Sequence, residues 1–215
     1  MEKIKKINDY IVYDLETGGL SPEKHAIVQI GMIAIAGDTL EEIERYTTYC
    51  KPYHPDLTYE DKALEINKAT MKDINGGKDI KVVVGEMIAF FERHKVGNFK
   101  KRPIMVGHNI DEFDTTFLRL YFDLVDEDLM KYISPTTMDT LKLAHAKWQH
   151  LPDIGKYNLR AACEKAGVDL IDAHGAMTDT EATTNLFRYF LNCMRGGTAA
   201  NSPSGNIEVK PRFEF

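Results

Sequence analysis

The stretch IVYDLETGGL, residues 11–20, begins as a strand and ends in two acids and a glycine turn. Its first three residues are β-branched and aromatic, which is typical of a buried strand. Asp14 and Glu16 are separated by one residue, and side chains at i and i+2 of a strand point to the same face. Two carboxylates that close repel each other, and burying them is unfavourable unless a cation compensates. The stretch therefore predicts a site for Mg²⁺ or Mn²⁺, hard cations that bind carboxylate oxygens.

Hydrophobic patterns outward from this stretch predict an α/β domain. Apolar, β-branched and alternating runs mark strands, and apolar residues at helical spacing mark helices. The predicted elements are strands at 9–15, 27–36 and 42–50, helices within 59–94 with a break at Gly76-Gly77, a strand at 103–109, a helix at 113–125, a strand at 133–140, and helices at 157–167 and 175–195. This order predicts a central five-stranded mixed sheet, an antiparallel three-strand meander plus two parallel strands, with helices on both faces.

Composition is that of an ordinary globular protein. The 215 residues are 43% hydrophobic, enough for one domain with a normal core, and the formal net charge of −6 shows no overall basic footprint. Three cysteines without a CxxC pair indicate reduced thiols. No apolar run approaches the ~20 residues needed to span a bilayer. We therefore expect a cytoplasmic protein that does not contact a membrane.

The composition changes near the C-terminus. GGTAANSPSGN, which starts at Gly196, is rich in small and polar residues and is typical of a flexible linker. We therefore predict a folded domain at 1–195, followed by a linker and tail at 196–215. The final residues, IEVKPRFEF, are either a frayed end or a peptide that docks on a partner or adds to a sheet edge.

Two later motifs supply more acids. VGHNIDEFDTTFL, residues 106–118, leaves a strand and enters a helix, and it contains Asp111 and Asp114 one turn apart. In AHGAMTDTEAT, His174 precedes the final helix and Asp179 lies in its first turns. Each motif alone is weak, because acids are common near helix starts. Together with the acids of the first strand they predict a shared site.

These motifs resemble a known family. The segments DLETGGL, HNIDEFDTTFL, MDTLKLA and HGAMTDTEAT follow, in order, the motifs of the DEDDh 3′→5′ exonucleases, and KALEINKAT and YNLRAACEKAGV are similar to intervening family segments. This group includes the proofreading epsilon subunit of bacterial DNA polymerase III, ribonuclease T and oligoribonuclease. The resemblance covers about residues 9–194 and implies a ribonuclease H-like fold.

The resemblance also implies residue roles, position by position. The metal ligands would be Asp14, Glu16, Asp114 and Asp179, with His174 as general base; the substrate-binding residues would be Thr17, Gly18, Leu20, His108 and Asn109. The chain departs from the family pattern by having three residues, not two, between His-Asn and Phe-Asp. We choose Asp114 over Asp111 because the apolar residues after it set the helix register. A second departure is Gly18, where threonine is frequent.

The implied function is a metal-dependent 3′→5′ exonuclease that uses two divalent cations, Mg²⁺ or Mn²⁺, to release nucleoside monophosphates from single-stranded DNA or frayed ends. Leu20 would either wedge against the terminal base or cap the core. An RNA-trimming or oligoribonucleotide exonuclease is the alternative within the enzyme class, and a catalytically silent nucleic-acid-binding module is the alternative outside it. The implied partners are 3′ ends of single strands and, through the tail, a polymerase or other repair or replication protein in trans. The oligomeric state is open.

Overall fold

A five-stranded mixed sheet forms the centre of the protein, in the order β3-β2-β1-β4-β5. The structure is a computed structural model that describes residues 7–96, 101–151, 157–170 and 174–196. The strands are β1 (Tyr10–Thr17), β2 (Ile27–Ile35), β3 (Glu42–Tyr49), β4 (Ile104–Gly107) and β5 (Thr137–Asp139). The helices are α1 (Asp61–Asn67), α2 (Met71–Gly76), α3 (Ile80–Arg93), α4 (Asp114–Asp123), α5 (Thr140–Trp148), α6 (Leu159–Ala166) and α7 (Ala176–Met194), with a 3-10 turn at Leu129–Lys131.

The predicted sheet topology is confirmed. Strand β1 pairs antiparallel with β2, which pairs antiparallel with β3, so the first three strands form the expected meander. On its other side β1 pairs in parallel with β4, and β4 in parallel with β5. The carboxyl ends of β1, β4 and β5 therefore lie at one edge of the sheet, the usual position for a site in an open α/β sheet.

Alternation along β1 sends its side chains into two cores. Ile11, Tyr13 and Leu15 pack with buried residues of α3 and α4 on one face. Tyr10 and Val12 face the other way, where they pack with residues of β2 and α7. Because the period of a strand is two, Asp14 and Glu16 continue the row that faces α7.

Several predicted boundaries were wrong. Strand β1 extends to Thr17, two residues beyond the predicted end at residue 15, so Glu16 also lies inside the strand, and β5 has only three residues. Helix α5 was not predicted. Residues 59–94 form three helices: α1 ends at the left-handed Lys68 (φ 54°), and a capping box between Thr70 and Asp73 starts α2.

The structure also bears on the predictions for the cysteines, for membrane-spanning helices and for the end of α6, but not on the prediction for the C-terminal tail. The three cysteines are free thiols. Among the described residues, no helix has both the length and the apolar character needed for a bilayer span. Helix α6 ends at Gly167 in the left-handed conformation (φ 67°), as predicted. The predicted linker and tail lie outside the described residues beyond Gly196, so the domain boundary stays a prediction.

Candidate active site

The two acids of β1 are held at the centre of the sheet. Asp14 is paired in register with Gly31 of β2, and Glu16 with Gln29. Glu16 is buried and Asp14 is half-buried. Strand pairing fixes the backbone at both positions, so the two carboxylates leave β1 on the same side.

Asp114 reaches the same place from the neighbouring helix. Strand β4 pairs with β1 only as far as Val12, which leaves the later N–H groups of that edge without a strand partner from β4. The backbone N–H of Leu15 instead donates to Oδ1 of Asp114, at 3.1 Å. Asp114 is buried, and its charge acts to raise the pKa of Asp14, so it lies beside the β1 acids.

Asp111 is directed elsewhere. Its carboxylate accepts hydrogen bonds from the hydroxyl of Thr137, at 2.6 Å, and from the ammonium of Lys142. Burial acts to raise the pKa of Asp111, but these two donors outweigh it and hold that pKa below its ordinary value. Of the two acids in this motif, the structure places Asp114 with the β1 carboxylates and Asp111 in an ion pair.

The additional residue in the second motif is absorbed by a turn before α4. Residues 110–113 form this turn, and Ile110 folds back as a buried side chain over Gly107. A Cβ on Gly107 would lie 2.0 Å from Ile110 Cγ2, so only glycine allows this approach. The helix then starts at Asp114, and its apolar side is in the register that the sequence predicts.

The last motif comes from the start of α7. His174 is exposed and has a left-handed backbone (φ 80°) immediately before the N-cap Gly175. Asp179 lies in the first turn of α7. Burial raises the pKa of Asp179, although the backbone and ring of His174, and the charges of Arg160 and Lys68, act in the opposite direction.

Three carboxylates meet between β1 and α7. One oxygen each from Asp14, Glu16 and Asp179 lie within 4.8 Å of one another. Burial, reinforced by the other acids, raises the pKa of Asp14 well above its ordinary value and raises the pKa of Glu16 to about 7. Burial likewise raises the pKa of Asp114 to about 7. Without a cation, the site therefore retains protons that free carboxylates would release.

The donor set fits a divalent cation. All its members are carboxylates, which are the ligands that hard cations prefer. Oδ1 of Asp179 is buried and accepts no hydrogen bond within the described part of the chain. A buried carboxylate oxygen without a donor is unfavourable unless a cation or solvent supplies the missing interaction. The geometry therefore accepts at least one such ion between β1 and α7.

The turn after β1 presents one apolar side chain to solvent. The hydroxyl of Thr17 donates to the Gly19 carbonyl at 2.8 Å, and the Gly18 N–H donates to the Ala26 carbonyl at 2.8 Å. Both donors therefore already have hydrogen-bond partners within the protein. A Cβ on Gly18 would lie 2.7 Å from the Thr58 carbonyl oxygen, which explains why threonine is absent there. Leu20 is 82% exposed, so the alternative that it caps the core is wrong.

His108 hydrogen-bonds both the start of α5 and the segment before α6. Its Nε2 lies 2.8 Å from the Tyr157 carbonyl, an obligate acceptor, and its Nδ1 lies 2.9 Å from the hydroxyl of Thr140. Burial lowers the pKa of His108, which favours the neutral ring with the proton on Nε2. Both ring nitrogens are thus engaged, and the predicted contact of His108 with substrate has no free nitrogen to make it.

Asn109 borders a shallow groove. It has a left-handed backbone (φ 70°), and its N–H donates to Asp139 Oδ1 at 2.9 Å. The groove has a volume of about 500 Å³, and its lining includes His145 and Tyr157, whose rings stack with centroids 3.7 Å apart. The ring of Trp148 is buried in the core beside Phe190, so it does not line this groove.

The raised pKa values predict a pH-dependent stability of the cation-free protein. Asp114 has a folded-state pKa of about 7 against an ordinary value of 3.8. Between these values the folded state holds a proton that the unfolded state has lost, so rising pH destabilises the fold, by up to about 1.4 kcal/mol per pH unit. Denaturant unfolding with chelator should show wild type losing stability relative to Asp114→Asn from about pH 4 to about pH 7.

Glu86→Gln is a matched variant for which the change of stability with pH should have the opposite sign. Glu86 has a pKa held below its ordinary value chiefly by its bond to Lys78. Its contribution is present above that ordinary value and is lost as pH falls, so wild type should lose stability relative to Glu86→Gln at low pH. If wild type instead gained stability over Asp114→Asn as pH rose, the account of the buried acids would be wrong.

Comparison with known proteins assigns the family. A family model described as an exonuclease, of the ribonuclease T type, matches residues 11–187. The chain therefore belongs to this exonuclease family, and the DEDDh membership predicted from the motifs is confirmed.

Related sequences and structures agree with this assignment. The PolC-type DNA polymerase III of Thermotoga maritima is 30% identical over 186 residues, which are 86% of this chain and 12% of that protein. That of Clostridium perfringens is 27% identical over 87% of this chain and 12% of its own length. The chain thus spans about an eighth of these relatives.

Solved structures of exonuclease I have the same fold. An exonuclease I structure that suggests how processivity is achieved has a TM-score of 0.74 at 20% identity, and the match covers 86% of this chain and 41% of that chain. The Escherichia coli enzyme in complex with a dT13 oligonucleotide has a TM-score of 0.72 at 20% identity, over 88% of this chain and 42% of its own. The expected ribonuclease H-like fold is thereby confirmed.

Proposed function

We propose that this protein is a metal-dependent 3′→5′ exonuclease that releases nucleoside monophosphates from single-stranded DNA. One observation carries the proposal: oxygens of Asp14, Glu16 and Asp179 converge within 4.8 Å, beside the buried Asp114. Polymerase III relatives and a DNA-bound structural neighbour support DNA as the substrate. The proposed partners are single-stranded 3′ ends and a polymerase or other repair or replication protein that acts in trans.

The four carboxylates would hold two divalent cations, Mg²⁺ or Mn²⁺. Asp14 is central, because the charges of Asp114, Glu16 and Asp179 all act on it. Glu16 and Asp179 would share one ion with Asp14, and Asp114 would serve the other. When bound, such ions would activate the attacking water and stabilise negative charge on the phosphoryl and leaving oxygens.

The protein's own residues supply the proton transfer. Water attacks the terminal phosphodiester, and the bond between phosphorus and the 3′ oxygen breaks. The 3′ oxygen of the shortened strand takes a proton from solvent, and the phosphate leaves on the released nucleotide. An imidazole nitrogen of His174 takes the proton of the attacking water, since imidazole is an effective base near neutral pH. His174 is exposed on the segment that enters α7, where it has access to solvent and to an incoming strand.

Leu20 would contact the 3′-terminal nucleotide of the DNA strand. It is exposed, lies in the turn that follows β1, and offers an apolar surface against which the terminal base can pack. Leu20→Ala should raise KM for single-stranded DNA about tenfold, from the lost apolar contact, with a smaller change in kcat. Steady-state kinetics on oligonucleotides of fixed length would measure both constants.

Val82 provides the control for this prediction. It is an exposed apolar residue on α3, 48% exposed, and lies outside the candidate site. Val82→Ala should leave KM unchanged, and neither variant should unfold at a lower denaturant concentration. An unchanged KM in Leu20→Ala would remove Leu20 from the substrate site.

Product analysis tests the proposed reaction. Single-stranded DNA and RNA of matched sequence would be incubated with Mg²⁺ or Mn²⁺, and the products separated by chromatography. We expect deoxynucleoside 5′-monophosphates, with DNA degraded faster than RNA. Faster degradation of RNA would favour the RNA-trimming alternative, and no product from either strand would contradict the proposed activity.

A further inference from the structure

The start of α7 has no cap of its own. Gly175 is the N-cap residue and has no side chain to accept the first N–H groups of the helix. Such groups have no partner inside the helix and need an acceptor from elsewhere. The N–H of Ala176, the first residue of α7, donates to Oε1 of Gln29, at 3.2 Å. A side chain of β2 thus takes the place of a cap.

The strand register puts this contact directly beside the acids. Gln29 is the cross-strand partner of Glu16, and Gly31 is the partner of Asp14. Because Gln29 and Gly31 are two residues apart, they share one face of β2, the face that packs on α7. Gln29 is the one polar residue of β2, and all the other side chains of this strand are apolar.

Gly31 brings the helix into close contact with the strand. A Cβ at position 31 would lie 2.5 Å from the carbonyl oxygen of Ala176 and 2.7 Å from Oγ1 of Thr180. The first turn of α7 therefore lies directly on the backbone of β2. The hydrogen bond from Ala176 to Gln29 then limits sliding of the helix along this contact.

We propose that Gln29 is a positioning residue for the carboxylate site. It fixes the start of α7, and thereby sets Asp179 and His174 against Asp14 and Glu16. Its amide oxygen supplies the acceptor for the first N–H of α7 directly beside Glu16. The role in turnover rests on the proposed exonuclease function, whereas the role in cation binding does not.

Two variants separate the acceptor from the shape of the side chain. Gln29→Met keeps the length and removes the acceptor, and Gln29→Glu keeps the acceptor. For Gln29→Met we expect Mn²⁺ affinity, measured by calorimetry, to fall 10- to 100-fold, as for groups that orient metal ligands. We expect kcat to fall 10- to 100-fold with KM for DNA nearly unchanged, because small misplacement of reacting groups has effects of this size. Gln29→Glu should recover most of both losses.

Thr70→Ala is the matched control. Thr70 caps α2, where its hydroxyl accepts from the Asp73 N–H at 3.2 Å, so this variant also deprives a helix start of a side-chain acceptor. We expect it to lower stability without changing Mn²⁺ affinity or kcat. A Gln29→Met protein that binds Mn²⁺ as wild type does would overturn the proposal, and so would a Gln29→Glu protein as impaired as Gln29→Met. If wild type binds Mn²⁺ but hydrolyses no DNA, the proposed function fails while the calorimetric comparison still tests Gln29.

Discussion

Asp14→Asn should abolish hydrolysis and, in the cation-free protein, raise the free energy of unfolding. Burial raises the pKa of Asp14, and the charges of three other acids raise that pKa further. An asparagine at this position neither places a charge beside the other acids nor has to retain a proton, which should stabilise the cation-free fold at pH 8 by on the order of 1–2 kcal/mol. The same change removes the ligand shared between the proposed ions, so activity should fall roughly 10³-fold or more.

Two measurements check this prediction. Denaturant unfolding with chelator gives the stability, and degradation of single-stranded DNA with Mn²⁺ gives the activity. Asp111→Asn is the matched control, because Asp111 is a nearby acid that bonds Lys142 and Thr137 instead. We expect Asp111→Asn to retain activity. If Asp111→Asn were inactive and Asp14→Asn active, the carboxylates would have been assigned wrongly.

Replacement of His174 should lower kcat by roughly 10²- to 10⁴-fold, the usual contribution of a general base. The choice of variant matters, because His174 has a left-handed backbone (φ 80°) that alanine tolerates poorly. Asparagine and glycine accept this conformation and carry no proton acceptor comparable with imidazole. His174→Asn and His174→Gly therefore test the base without straining the start of α7.

The accompanying measurements distinguish a lost base from a damaged site. Both variants should bind Mn²⁺ as wild type does, since the carboxylates are unchanged. Free imidazole should restore part of the activity of His174→Gly by entering the vacated space. Full activity of His174→Asn would show that another group accepts the proton.

The fold was largely predictable because its central strands have strong local patterns. The alternation of β3 and the apolar, β-branched run of β2 are what an antiparallel meander requires. Helix α5 was missed because its buried residues are Thr140, Ala144 and Trp148, a weak apolar stripe. The break between α1 and α2 is visible in the sequence as the Thr70–Asp73 capping box, whereas the predicted break was placed at Gly76-Gly77.

The residues of the site were less predictable, because whether a residue belongs to the site depends on contacts with segments distant in the sequence. The local helix register favours Asp114 over Asp111, but the partners that hold Asp111 away from the site, Thr137 and Lys142, come from β5 and α5. Gln29 was missed, although a polar residue inside an apolar strand is a visible signal for a specific contact. Its partner, the first N–H of α7, can be recognised only once the helix has been placed on β2.

We propose that the convergent carboxylates make this protein a metal-dependent 3′→5′ exonuclease. The most direct test follows single-stranded DNA labelled at its 5′ end, with Mg²⁺, with Mn²⁺ and with chelator. We predict a ladder of labelled strands that shorten progressively from the 3′ end, with either cation and not with chelator. Immediate release of a labelled mononucleotide, or cleavage that persists in chelator, would contradict the account.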